Sequence, residues 1–196
     1  MMKQRITDIA DVRSGYQFRE KVEHDPHGGV PVIQIKDVTG DFQLQTHDLI
    51  RVAMHKTEPY RVQQGDVLFL ARGHRLGAAA VTEPVEGTIA TGYFFILHPS
   101  DRILPGYLAW AINQKGFQER MRPLVRGSHM PLITKGEFEG LTLDVPPLET
   151  QRLIEAIDCL HRRETTLIQL IQQKRAQLID AVCAKAATRG DTNRKG

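Results

Sequence analysis

Short apolar runs fill the first three quarters of the chain, and a seven-residue period fills the last quarter. Alternation of period two marks a half-buried strand, and continuous apolar runs of four to eight residues mark a strand covered on both faces. Residues 30–38, VPVIQIKDV, read as a strand in which Ile33 and Ile35 alternate with Gln34 and Lys36, and Gly40-Asp41 turns it. Residues 66–71, DVLFLA, read as a stronger strand. It returns at 78–81 after the glycine-bounded loop Arg72-Gly73-His74-Arg75-Leu76-Gly77, which makes a hairpin. Residues 88–97, TIATGYFFIL, read as one strand with a bulge at Gly92. Residues 6–13 read as a short strand or turn that breaks at Ser14-Gly15, and residues 24–29 as a loop. Pro105 starts a helix, in the position where a missing N–H costs nothing. The apolar stripe of that helix is Leu108, Ala111, Ile112 and Phe117. A polar loop covers residues 126–131, and residues 141–145 form a last strand stopped by Pro146-Pro147.

From Leu148 the period changes. Leu153, Ile157, Leu160, Glu164, Leu167, Ile171, Lys174 and Leu178 recur in alternating steps of four and three, which is a heptad seam. No glycine or proline interrupts residues 151–187. The spacing predicts one helix about 55 Å long, at ~1.5 Å per residue. Glu149 or Thr150 caps its start and Gly190 follows its end. The preceding domain is too small to cover such a helix, so the seam is expected to be a dimer interface. The polar seam residues Glu164 and Lys174 would fix register and orientation. In an antiparallel homodimer with its axis near position 169, Glu164 of one chain lies near Lys174 of the other. The alternative is a terminal helix folded back on its own domain. Residues 188–196 read as a disordered basic tail. The expected fold class is α+β. A globular mixed α/β domain over residues 1–148 is followed by a long C-terminal coiled-coil helix over 149–187.

Composition narrows this picture. The chain has 196 residues, enough for one domain and an appendage. With 41% hydrophobic and 25% charged residues it is neither disordered nor collagen-like. No apolar run approaches the ~18 residues of a membrane-spanning helix. The N-terminus has no apolar leader, so no signal peptide is expected. Cys159 and Cys183 cannot meet along one straight helix, which excludes an internal disulfide and a four-cysteine zinc site. Free thiols without a leader point to the cytoplasm.

The net charge of +3 is concentrated in the tail. From Lys185 onward four basic residues face only Asp191, so the rest of the chain is balanced. Local asymmetry says more. Lys115, Arg120, Arg122, Arg126 and Lys135 stand against Glu119 in residues 113–135. Glu137, Glu139, Asp144, Glu149, Glu155 and Asp158 stand against Arg152 in residues 137–158. A basic stretch beside an acidic one suggests one anionic and one cationic partner.

Catalytic signatures are lacking. His24 and His27 have no glutamate beside the first histidine, as a helical zinc site would need. There is no nucleophile elbow, no phosphate-binding glycine motif and no dinucleotide fingerprint, and no metal-ligand spacing recurs. Neither catalysis, a metal nor a cofactor is expected.

Three motifs, in order, carry a resemblance. Gly65-Asp66-Val67-Leu68-Phe69-Leu70-Ala71-Arg72-Gly73 resembles a strand and loop of the target-recognition domains in type I restriction-modification specificity subunits. Residues 126–133, RGSHMPLI, are similar to that family's SG-S/T-x-x-x-x-I loop, with Arg126 where serine is common. Residues 138–151, FEGLTLDVPPLETQ, are similar to its P-P-L-E-E-Q boundary before a spacer helix, with Thr150 where glutamate is common. The opening residues 6–15 fit as well. The family's usual subunit has two recognition domains and two spacer helices, so one of each looks like a half-size subunit or a fragment.

The resemblance implies recognition of double-stranded DNA on behalf of a methyltransferase (M) subunit and, through it, a translocating restriction (R) subunit, with the chemistry left to those partners. It points first to Arg72, His74 and Arg75 at the hairpin tip as base readers, since arginine contacts guanine O6 and N7 bidentately. Arg126, Ser128 and His129 form a second polar loop suited to phosphate or base edges. Lys36, Arg19 and Tyr16 follow. Lys115, Arg120 and Arg122 would touch phosphates and add salt dependence. The acidic boundary 137–158 is the expected dock for the methyltransferase. A homodimer would read a two-part palindrome. The competing expectation is a coiled-coil interaction adaptor that binds no DNA.

Overall fold

The apolar run Val67-Leu68-Phe69-Leu70 becomes the central strand of the folded domain, and all four side chains are buried. The structure is a computed structural model that describes residues 2–20, 22–25, 27 and 29–192. Strand β1 (Met2–Arg5), the helical turn α1 (Ile6–Ile9) and β2 (Ala10–Ser14) open the chain. Then come β3 (Val30–Ile33), β4 (Ile50–Val52), β5 (Val67–Leu70), β6 (Gly77–Ala80), β7 (Ile89–Ala90) and β8 (Phe94–Pro99). Helices α2 (Pro105–Asn113), α3 (Lys115–Met121) and α4 (Lys135–Glu139) precede β9 (Thr142–Val145) and the long helix α5 (Leu148–Thr192). The fold is α+β with a long C-terminal helix, as the hydrophobic pattern predicts.

The largest sheet has the order β2-β8-β5-β6 and is antiparallel throughout. In a second sheet, β3 pairs antiparallel with β4 and parallel with β7. Strands β1 and β9 pair antiparallel. Successive residues of a strand face opposite ways, and this splits the large sheet between two cores. Val67, Phe69, Ala78, Phe95 and Leu97 face a core shared with Leu108, Ile112, Phe117 and Phe138. Leu68, Leu70, Ala79, Phe94 and Ile96 face a second core shared with Ile33, Val38 and Ala90. Cover on both faces is why these strands are continuously apolar. Phe138 is fully buried and stacks on Phe69 at 4.1 Å between ring centroids.

The Gly65-Asp66 pair ahead of β5 has a structural cause. Gly65 takes φ +93°, a conformation that favours glycine. Asp66 is fully buried, and its carboxylate accepts the Gln63 N–H at 2.8 Å and meets His98 Nδ1 at 2.8 Å.

Four expectations are corrected. The strand over 30–38 stops at Ile33, because the Asp37 carboxylate accepts the Gln34 N–H at 2.8 Å and closes a 3₁₀ turn over Ile35–Asp37. The single strand over 88–97 is two strands in two sheets, joined by a turn in which the Phe94 N–H donates to the Thr91 carbonyl at 3.0 Å. The helix from Pro105 is broken at Gln114, which takes extended dihedrals and leaves Phe117 to α3. Its whole stripe is nonetheless buried. Finally, α5 begins at Leu148 and runs to Thr192, so residues 188–192 are helical rather than a disordered tail. A glycine such as Gly190 costs a helix only about 1 kcal/mol, and no proline follows it. Residues 193–196 lie outside the described residues.

Residues 6–13 become a helical turn and a strand, and the turn is closed where the Asp8 carboxylate accepts the Arg5 N–H at 3.0 Å. Of the loop over 24–29, residues 26 and 28 lie outside the described set. Two compact units divide between Glu155 and Ala156. The first two turns of α5 belong to the first unit because Gln151 is fully buried there. The Gln151 side chain accepts from the Leu104 N–H at 2.8 Å and donates to the Arg102 and Pro146 carbonyls at 2.9 and 2.8 Å.

Candidate nucleic-acid interface

The β5–β6 hairpin ends in a tip that the chain can turn only because Gly73 adopts φ +121°. Backbone bonds tie this tip to the second polar loop. The Gly73 N–H donates to the Pro131 carbonyl at 2.8 Å, and the Ile133 N–H donates to the Ala71 carbonyl at 3.1 Å. Leu132 bridges Arg72 and also Arg126, with which it exchanges two bonds of 2.8 Å. Arg72, His74, Arg126, Ser128 and His129, predicted from two separate motifs, therefore lie on two joined loops. All five are exposed.

Two arginines of these joined loops bind their own protein. Arg75 donates to the Thr39 carbonyl at 3.3 Å and its guanidinium lies 5.6 Å from the Phe42 ring centroid, which braces the hairpin. Arg126 Nη2 lies 2.5 Å from Glu137 Oε1. Glu137 also accepts from the Thr134 hydroxyl at 2.6 Å and the Thr134 N–H at 3.2 Å, while the Glu137 N–H donates back to the hydroxyl at 3.3 Å. This reciprocal cap starts α4. The Thr134 bonds, and then the Arg126 charge, hold the Glu137 carboxyl below the usual glutamate value.

A second feature adjoins the tip. The end of β2 passes so close to the β7–β8 turn that a Cβ on Gly15 would stand 2.2 Å from the Thr91 carbonyl oxygen. The Tyr16 N–H donates to the Ala90 carbonyl at 2.8 Å and the Gly92 N–H to the Tyr16 carbonyl at 2.7 Å. Beside this crossing opens a cleft of about 600 Å³, whose walls include Tyr16, Phe18, Lys36, Arg72, Thr91 and Tyr93. Arg19 and Tyr16 line an adjoining cleft of about 480 Å³. The Tyr16 ring packs at a steep angle against Phe18 and Tyr60, at 4.7 and 5.0 Å between centroids. Tyr16, Lys36 and Arg72 are thus brought together from three distant stretches of sequence.

Lys115, Arg120 and Arg122 line neither cleft. They lie on α3 and the 3₁₀ turn Arg122–Leu124. Lys115 pairs with Glu119 at 3.8 Å. Arg120 donates to the Thr142 carbonyl at 3.1 Å and covers the Phe117 ring. Sequence reasoning missed Phe18, Thr91 and Tyr93. The last two were hidden because residues 88–97 looked like a strand interior rather than a crossing between sheets.

The other predicted surface lies on α5. Leu153, Ile157, Leu160, Leu167, Ile171 and Leu178 are all exposed, between 48 and 68%. Glu164 and Lys174 are exposed beside them, with Lys174 Nζ 3.4 Å from Gln177 Oε1. Ile168, Leu170, Ile179 and Val182 are exposed too. They were missed because a strict four-three spacing excludes them, and they make the apolar face wider than a two-helix seam. Cys159 and Cys183 are exposed free thiols. Among the described residues no helix is long and apolar enough to cross a membrane.

The family model for the type I restriction modification DNA specificity domain matches residues 1–179. The chain belongs to that family. Three solved structures share the fold of this specificity domain. The type I S subunit from M. genitalium is 16% identical with a TM-score of 0.58, over 89% of this chain and 42% of its own. A structure described as showing complex assembly and conformational transition of the type I R-M system is 21% identical with a TM-score of 0.61, over 90% and 42%. The HsdS subunit from Thermoanaerobacter tengcongensis is 19% identical with a TM-score of 0.60, over 86% and 39%. This specificity domain spans about two fifths of the length of each. No curated protein matches it. The resemblance read from the three motifs is borne out at the level of family and fold.

Proposed function

We propose that the chain is a non-catalytic specificity subunit that reads double-stranded DNA for a methyltransferase subunit and, through it, a restriction subunit. The observation that carries this reading is the junction at Leu132, which puts Arg72 and His74 on the same edge as Arg126, Ser128 and His129. Arg72 and His74 read base edges. Ser128 and nearby N–H groups hold phosphate, as do Lys115, Arg120 and Arg122. Arg126 reaches DNA by leaving Glu137, and Arg75 sets the angle of the tip. Residues 1–148 are the recognition domain and 149–187 the spacer helix.

The subunit works as an antiparallel homodimer through α5. An axis near position 169 that pairs Glu164 with Lys174 also sets Leu167 opposite Ile171 and Leu160 opposite Leu178. Two identical domains held apart in this way read a palindrome with an unread centre. The extra width of the apolar face, with the acidic stretch 137–158, suits the methyltransferase as a further partner. Exposed thiols fit a cytoplasmic protein.

The test is selection of bound duplexes from a random library by the full chain at graded salt, with light scattering on the same sample. The expected results are a split palindrome, a log affinity that falls linearly with log salt, and twice the chain mass. Arg72→Ala with His74→Ala should relax the selected sequence, at a cost of about 1–3 kcal/mol for each base that is no longer read. A chain that retains no DNA at low salt is an interaction adaptor instead. Metal-dependent cleavage of DNA by the chain alone would make it an enzyme.

A further inference from the structure

The cleft beside Arg72 has features that a phosphate-positioning surface does not need. Three aromatic rings, Tyr16, Phe18 and Tyr93, are among its walls. Tyr93 is 38% exposed, although it stands at the head of one of the most buried strands. Thr91 also lines the cleft. It is 4% exposed, and its hydroxyl is buried with no hydrogen-bond partner among the described residues. A buried hydroxyl without a partner is costly in a native protein and calls for an explanation. Two cations, Lys36 and Arg72, and one carboxylate, Glu20, complete the charged lining. Aromatic faces, a vacant hydroxyl and a net positive rim are the chemistry that holds one unstacked base with its phosphate.

We propose that this cleft, lined by Tyr16, Thr91, Tyr93, Lys36 and Arg72, receives a single base displaced from the duplex bound at the hairpin tip. The inference rests on the DNA-reading function above, and Arg72 is the link, since it belongs to both the tip and the cleft. Its volume of about 600 Å³ lies within the range of sites that enclose a small ligand. Tyr93 stacks on the base, Lys36 and Arg72 hold the flanking phosphate, and the Thr91 hydroxyl, covered while the cleft is empty, meets the base edge as the base enters. Tyr16 is held in place by Phe18 and Tyr60 and acts as the fixed wall.

The experiment compares binding of the full chain to two fluorescent duplexes of about 30 base pairs, identical except that one carries a bulged 2-aminopurine. Unpairing is already done in the bulged duplex, so it should bind roughly tenfold or more tightly. The 2-aminopurine emission should change as the base stacks on Tyr93. Tyr93→Ala should remove most of that preference, and Thr91→Val part of it. Thr91→Val removes a hydroxyl without a partner, so it should melt no lower than the parent chain, which separates loss of the site from loss of the fold. Equal binding of both duplexes overturns the cleft and leaves DNA reading intact. Binding of neither overturns both. Uptake of free 2-aminopurine deoxynucleotide as tightly as the bulged duplex overturns the duplex source and makes the cleft a nucleotide site.

Discussion

Residues 67–70 and residues 167–171 are both rich in large aliphatic side chains, yet their fates are opposite. Val67, Leu68, Phe69 and Leu70 are no more than 2% exposed, covered by one core on each face of the sheet. Leu167, Ile168, Leu170 and Ile171 are about half exposed. Burying such a side chain contributes roughly 1.5–3 kcal/mol, so the first region stabilises itself and the second leaves a large favourable term unused. A water-facing apolar face that long signals an interaction site. Residues 1–155 are a finished fold, and the exposed face of the helix is the surface that the proposed dimer would bury.

The strongest way to break that comparison is to charge the helix. Ile171→Lys with Leu178→Lys places four lysines in a two-fold seam and should turn a dimer into a monomer by light scattering. Thermal melting of residues 1–155 should hardly move, since exposed substitutions usually stay within about 0.5 kcal/mol. A lowered domain melting temperature would mean that the helix is covered by its own chain.

The converse substitution is in the core. Phe138→Ala removes a ring that packs on Phe69, Phe95 and Phe117 and should cost about 3–5 kcal/mol in urea unfolding. Association through α5 should survive in whatever fraction stays folded. Next in size is Gln151→Ala, which strands the Leu104 N–H and the Arg102 and Pro146 carbonyls. We expect a loss of about 1–3 kcal/mol, read as a lower melting temperature, because the Pro146 carbonyl is stranded in a buried bond and the other two groups in partly buried ones. Gln151 also shows where the two regions part. A cut at Leu148 removes this anchor and damages the very domain that it would isolate.

Much of this was legible in the sequence, for reasons that differ by region. The strand DVLFLA and the seam of α5 follow local periodicity, which survives whatever the rest of the chain does. The boundary PPLETQ is legible because two prolines stop β9 and a buried glutamine anchors α5. The failures occur where long-range geometry overrides the local pattern. Residues 88–97 have a strand's composition, but Gly15 comes so close to Thr91 that the chain must turn there and change sheets. The cleft formed at that crossing draws on residues 16–18, 20, 22, 34–36, 72 and 91–93, and no local window contains them together. Of the predicted DNA contacts, the exposed loops were the legible part. The partners that Arg75, Arg120 and Arg126 find within the protein were not, since they lie 36, 22 and 11 positions away.

The smallest effect concerns one of those partners. The Glu137 carboxyl is held below its ordinary value of 4.5, first by Thr134 and then by Arg126. A carboxyl depressed in the folded state adds stability that is present above the unfolded value and is lost as pH falls through the folded one. Arg126→Ala should therefore destabilise the chain slightly at neutral pH and not at all once Glu137 is protonated in both proteins. Thr134→Ala should do more, about 0.5–2 kcal/mol, because it also removes the helix cap. Urea midpoints of the two variants and the parent at pH 7 and at the lowest pH at which the fold survives give the comparison, and added salt should erase most of the Arg126 effect, as for exposed ion pairs in general. If Arg126→Ala proves costly at both pH values, Arg126 is a structural brace like Arg75. If its cost is small while its loss weakens DNA binding, the pair is a latch. In that case Glu137 holds the guanidinium in place until a phosphate or base edge takes it.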